Sequence, residues 1–126
     1  MIVAVDTSGS ISETEIEQFI SEIDAIKSLL RARITLLACD AGLAPDCPWV
    51  FESWDEFRLP GNIIGGGGTR FTPVFDWADM QDSAPDLLVY FTDADGPFPQ
   101  QMPQYPVLWL VKGKTAVPWG QRVQLN

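Results

Sequence analysis

Histidine is missing from this 126-residue chain altogether. That removes Ser-His-Asp and Cys-His catalysis, imidazole-ligated zinc and histidine-based pH switching. Base is also scarce. Eight Lys and Arg face 17 Asp and Glu, a formal charge of −9. Such a surface repels phosphate backbones and anionic headgroups, so nucleic acid and membrane are poor partners. A metal cation or a basic protein surface suits it better. Cysteine is limited to Cys39 and Cys47, and without secretion signals a reduced, cytoplasmic state is expected. No apolar run is long enough to span a bilayer. No basic start or cleavage site precedes the first strand-like segment, so no signal peptide is read.

What is present is globular. Hydrophobic residues make up 46% and charged residues 20%, which suits one compact domain over 1–126 with a core of its own. "MIVAV" is continuously apolar and β-branched, the pattern of a strand buried on both faces. "DTSGS" follows it. Ser12 and Glu15 then have capping-box spacing. Ile16, Phe19, Ile20, Ile23, Ile26 and Leu30 recur at helical intervals, marking a strong amphipathic helix.

"RITLLACD" is a second buried strand ending in Asp40, and "WVFESW" a third, peripheral one. "LPGNIIGGGGT" is a glycine-rich loop. A helix is expected from "FTPVFDWADM", with Thr72 as its cap and Pro73 at the first helical position. "DLLVYFTD" repeats the buried-strand pattern and ends in Asp93, with Asp95 close behind. "GPFPQQMPQYP" is too rich in proline for a normal helix. "VLWLV" is a strand and "RVQL" an edge strand. Strands alternating with helices predict an α/β fold: a Rossmann-like, doubly wound, largely parallel sheet flanked by helices, with a peripheral strand.

In such sheets ligands sit beyond the carboxyl ends of the strands, where strand order reverses. Asp6, Ser8 and Ser10 lie there, as do Thr69 after the glycines and Asp93 after the later strand. Two carboxylates and three hydroxyls form a hard, all-oxygen donor set. Mg²⁺ takes six oxygens at about 2.0–2.1 Å, while Ca²⁺ and Mn²⁺ accept similar ligands. Neutral hydroxyls leave the cation electrophilic, with a position open to a carboxylate from a partner's Asp or Glu. Gly9 permits the tight turn between the serines, and Gly65 to Gly68 permit close passage of the loop that delivers Thr69.

Three ordered motifs carry a family resemblance: D-x-S-x-S in "DTSGS", "GGGGT" midway, and "TD" after a later strand. Together they resemble the von Willebrand factor A-type (VWA) domain and its metal-ion-dependent adhesion site, in order and spacing over almost the whole chain. The resemblance implies a VWA-like fold and a non-catalytic, metal-dependent protein-binding role. It also implies a divalent ion held by Asp6, Ser8, Ser10, Thr69 and Asp93. "CDAGL", "GGGGTRFTPVF", "YFTDADGPFP" and "VPWG" look closest to a bacterial VWA-like family. There the domain follows a metallopeptidase-like part, and an AAA+ ATPase often accompanies it. Both are therefore expected partners.

Two positions depart from the family pattern. Arg70 follows the loop threonine where the family has Asp, and its charge opposes a cation. "TDADG" replaces T-D-G, so Asp95 is placed to substitute for Asp93 or assist it. No metallopeptidase-like portion is seen. Because Met1 opens directly on a strand, an excised domain or a minimal stand-alone version is expected.

Blander readings compete. Asp6, Ser8 and Ser10 suit a helix-capping turn, Thr69 a local loop bond, and Asp93 a strand-end turn. Asp40 suits either a solvated turn or support of the site. The glycine run lacks the Gly-Lys-Ser/Thr ending of a P-loop. "VDTSGS" superficially matches an aspartic protease motif, but its glycine comes one position late and a helix follows. A Mg²⁺-dependent phosphatase using Asp6 needs an acid where Ser8 stands. A structural module with an unoccupied site is the remaining alternative. Trp77, Trp109 and Trp119 are either core or an exposed docking patch beneath the proline-rich stretch, which leaves one sheet face thinly covered.

Overall fold

The alternation of apolar strands and amphipathic segments becomes a six-stranded sheet with a helix on each face. The structure, a computed structural model, describes residues 1–58, 60 and 66–125. The elements are β1 (Ile2–Asp6), α1 (Glu13–Leu30), β2 (Ile34–Cys39), β3 (Trp49–Phe51), α2 (Thr72–Asp79), β4 (Leu88–Thr92), β5 (Val107–Lys112) and β6 (Gln121–Leu125). The strand order is β3-β2-β1-β4-β5-β6. All neighbours are parallel except β2 and β3, which are antiparallel.

The strands read as unbroken apolar runs because both faces of the sheet are covered. Ile2, Ala4, Leu37, Leu88, Tyr90 and Trp109 face the α2 side. Val3, Val5, Leu36, Val89, Phe91 and Leu110 face the α1 side. Burying each large apolar side chain contributes roughly 1.5–3 kcal/mol.

Helix α1 starts where the capping box places it. Glu15 N donates to Ser12 Oγ at 3.2 Å, and Ser12 N donates to Glu15 Oε1 at 3.0 Å. It buries Phe19 and Ile23, and Phe19 stacks on Phe91 with centroids 4.7 Å apart. Its last turn buries Lys27, whose ammonium donates to the carbonyls of Ser53 and Asp55. This pins the segment after β3 to the helix. No helix among the described residues is long and apolar enough to cross a membrane.

Helix α2 corrects one expectation. Thr72 lies inside the helix rather than capping it. Phe71 is the N-cap, no side chain caps the end, and Pro73 follows Thr72 within the first turn. The physical reason is Phe71 itself. It is fully buried against Phe98, Tyr90 and Trp109, so packing sets the start of the helix.

Trp109 and Trp119 belong to this aromatic core, and the half-buried Trp77 packs against it. Trp109 is 0% exposed, and its Nε1 donates to Trp119 O at 3.0 Å. Trp119 Nε1 in turn donates to Pro99 O at 3.0 Å. The proline-rich crossover from β4 to β5 thus covers the face as an irregular strap carrying Phe98 and Tyr105, so these rings are not an exposed patch.

Candidate metal centre

The strand order reverses between β1 and β4. After β1 the chain builds outward through β2 and β3, then returns to pair β4 with the other edge of β1. Their register places the ends of β1 and β4 side by side, with Val5 opposite Phe91. Asp6 and Thr92 come next on each strand. Both are 0% exposed, and Thr92 Oγ1 donates to Asp6 Oδ2 at 2.6 Å.

From this pair a hydrogen-bonded chain of oxygens runs outward. Asp6 Oδ1 accepts from Ser8 N at 2.9 Å, so the buried carboxylate shapes the turn that follows it. Ser8 Oγ and Ser10 Oγ are 3.2 Å apart, and Ser10 Oγ donates to Asp93 Oδ2 at 2.6 Å. Asp93 Oδ1 accepts from Asp95 N at 3.1 Å. Asp93 therefore occupies the site, while the exposed Asp95 touches it through its backbone amide. Ala94 between them has φ 62°, a left-handed conformation unusual for a residue with a side chain. Its amide is tied to Thr92 Oγ1 at 3.0 Å.

The glycine-rich loop lies across this edge. Gly66 N donates to Thr7 O at 2.7 Å, and Gly9 N donates to Gly67 O at 3.2 Å. A side chain at Gly9 would put a Cβ 3.1 Å from Gly66 O, so the two loops meet backbone to backbone. Gly65 lies outside the described residues. Thr69 is half-buried and rests against the β4 loop: a Cβ on Gly96 would fall 2.8 Å from Thr69 Cγ2. The Thr69 hydroxyl enters none of the hydrogen bonds of the Asp6–Asp93 chain. Arg70 is exposed and anchors the loop through its amide, which donates to Asp40 O at 2.9 Å.

Two supporting residues were not assigned from sequence. For Thr92 the usable signal is a threonine ending a buried strand next to an aspartate-ended one. Asp40, which from sequence suits either a solvated turn or support of the site, supports it. Its Oδ2 accepts from Gly67 N at 3.2 Å and its Oδ1 from Gly42 N at 3.3 Å. It fastens the glycine loop to the end of β2.

The electrostatics follow from burial. Asp6 has its pKa raised, first by desolvation and then by the nearby Asp93 charge, against the lowering effect of its Thr92 and Ser8 hydrogen bonds. Burial also pushes the Cys39 thiol up to about 12. Among the described residues, no three carboxylate, thiol or imidazole groups gather as a metal-binding cluster. Any cation here would therefore depend on the serine hydroxyls. Their spacing suits one. Adjacent ligands of an octahedral Mg²⁺ at 2.0–2.1 Å lie about 2.8–3.0 Å apart. The separations of 3.2 and 2.6 Å along Ser8, Ser10 and Asp93 bracket that value.

A largely parallel sheet with helices on both faces, and an oxygen-rich cluster at its topological switch, is consistent with the VWA-like class of domain. Residues 1–126 match the family described as VWA-like domain (DUF2201), and the chain belongs to it. It is also similar to an uncharacterized protein of Thermotoga maritima, 33% identical over 89 residues. That match covers 71% of this chain and 21% of the relative, so the chain spans about a fifth of the longer protein.

Proposed function

We infer that this domain is a non-catalytic module that binds a protein partner through a divalent cation, with Mg²⁺ favoured over Ca²⁺ or Mn²⁺. The observation that carries the reading is the contact of Ser8 Oγ, Ser10 Oγ and Asp93 Oδ2 at ligand-like spacing on the sheet's switch edge. Ser8, Ser10 and Asp93 would hold the ion, with Thr69 closing the set from the adjoining loop. Asp6 adds buried negative charge and orients Ser8. Bound there, the ion would supply an electrophilic position for a carboxylate of a partner's Asp or Glu. The partner is an acidic surface, for which an AAA+ ATPase or a metallopeptidase-like domain is the leading candidate. Asp6 makes a poor nucleophile, since it is fully buried and both its oxygens accept hydrogen bonds. That argues against the phosphatase alternative.

Calorimetric titration of the metal-free domain with MgCl₂ tests the reading. Saturable binding should appear by millimolar Mg²⁺ and vanish in Asp93→Ala and Ser10→Ala variants whose circular dichroism is unchanged. Absence of binding, or binding indifferent to both substitutions, overturns it. Capture of a partner that survives EDTA would refute the metal-bridged mode specifically.

A further inference from the structure

A second feature lies away from the oxygen site, along the outer side of α2. Helix α2 and the strap from Phe98 to Tyr105 enclose a groove of about 760 Å³. That is the size of a ligand site rather than a packing defect. Phe75, Phe98, Met102 and Tyr105 supply its apolar surface, and Asp76 and Asp79 its charge. No Lys or Arg is among the described residues lining it. Both carboxylates are exposed, and neither has an ion-pair partner among the described residues. The strap adds exposed Gln100, Gln101 and Gln104.

Two further observations concern the wall of the groove. The Tyr105 hydroxyl oxygen is buried and has no hydrogen-bond partner. A buried unpaired donor is costly and calls for an explanation. It also senses Asp79, whose charge adds to burial in pushing the Tyr105 pKa up to about 12. The strap itself is held at its ends, by Trp119 Nε1 on Pro99 O and by Leu88 N on Pro106 O. Among the described residues, no backbone–backbone hydrogen bond holds Gln100 to Tyr105 between those points. Their carbonyls, and their amides other than at Pro103, are left to pair with another backbone.

We propose that this groove binds an extended, basic peptide segment of a partner protein. Arginine or lysine side chains pair with Asp76 and Asp79, and the peptide backbone pairs with the strap. Charge complementarity selects the basic class on a chain that carries −9 overall. The unpaired strap backbone selects a peptide over a bare cation, because a peptide brings carbonyl acceptors and amide donors of its own. The proposal goes beyond the metal reading and does not depend on it.

The test is an NMR titration in EDTA, following backbone amide shifts. The probes are a capped pentapeptide alternating alanine and arginine, its neutral citrulline analogue, and free arginine. The arginine peptide should shift amides of α2 and the strap, and bind about tenfold more tightly than the citrulline analogue. The double variant Asp76→Asn/Asp79→Asn should lose about tenfold in affinity, and Glu22→Gln/Asp24→Asn on the opposite face should lose none. Shifts spread over the acidic surface, equal loss in both double variants, or no binding would overturn the proposal. Free arginine binding as tightly as the peptide would also overturn it, in favour of a small-molecule site. Because EDTA is present throughout, failure of the metal reading cannot cause failure here.

Discussion

Thr92 donates its hydroxyl hydrogen to the carboxylate of Asp6 across the β1–β4 pair, 2.6 Å apart and wholly out of water. The two residues are 86 positions apart in sequence. This bond sits beneath the serine turn and stabilises a charge that burial disfavours. Replacing Thr92 with valine keeps a similar shape and removes both the donor to Asp6 and the acceptor of the Ala94 amide. The variant should lose about 1.5–3 kcal/mol of stability, the range for hydrogen bonds to charged groups, as measured by urea denaturation. A loss of only about 0.5–1.5 kcal/mol, the neutral hydrogen-bond range, would point to a protonated Asp6 in the metal-free state.

The raised pKa of Asp6 sets the sign of a pH effect. The folded state holds its proton at higher pH than the unfolded chain does, whose carboxyl titrates near 3.8. The contribution of Asp6 is therefore most favourable in acid, and it is lost as pH rises through the folded pKa. In EDTA, Asp6→Asn should flatten this part of the stability–pH curve and raise the neutral-pH melting temperature. Mg²⁺ should oppose the trend, since a cation favours the ionised form. Its stabilising effect should shrink as pH falls toward the folded pKa. Melting curves at several pH values, with EDTA and with Mg²⁺, check both halves.

Gly96 is where the loop carrying Thr69 meets the loop carrying Asp93. Alanine there would place its methyl 2.8 Å from Thr69 Cγ2, so one loop must shift. The expected cost is about 1–3 kcal/mol, the range for overpacking. If Thr69 serves the cation, Mg²⁺ affinity should fall along with stability. Gly42→Ala, with nothing within 4 Å of the added carbon, is the control and should leave affinity intact.

The two thiols should differ in reactivity. Cys39 is 1% exposed, with its pKa pushed up to about 12 by burial. Cys47 is half-buried and raised less. Since the thiolate is the reactive form, a thiol reagent at neutral pH should modify Cys47 first. Cys39 should react at a rate that tracks unfolding. Mass spectrometry of the modified peptides gives the order, and simultaneous labelling would contradict the packing around Cys39.

Much of the architecture was legible because local patterns and tertiary demands agree. The continuous apolar runs at Ile2–Val5 and Leu88–Phe91 signalled burial on both faces, and both are buried so. Ser12 and Glu15 announced the start of α1 through a local hydrogen-bond pair. Helix α2 begins one residue before the start its local signals indicate because the burial of Phe71 decides where it begins, and its partners Phe98 and Trp109 lie far along the chain. The proline-rich strap reads as non-helical from its prolines alone. Its cover over Trp109 depends on indole-to-carbonyl bonds that no local pattern encodes.

At the candidate site, sequence alone determined which oxygen-bearing residues end or follow the strands or the glycine loop: Asp6 at the end of a strand, Ser8, Ser10 and Asp93 after strands, and Thr69 after the glycines. Spacing along one strand or turn is a local property, and it survives in the text of the chain. Only the tertiary structure decided that Asp93 rather than Asp95 meets Ser10, that Thr92 supports Asp6, and that Asp40 ties down the glycine loop. Those choices rest on strand order and loop-to-loop approach. Such contacts join residues tens of positions apart, and their energies come from burial that exists only after the sheet has assembled.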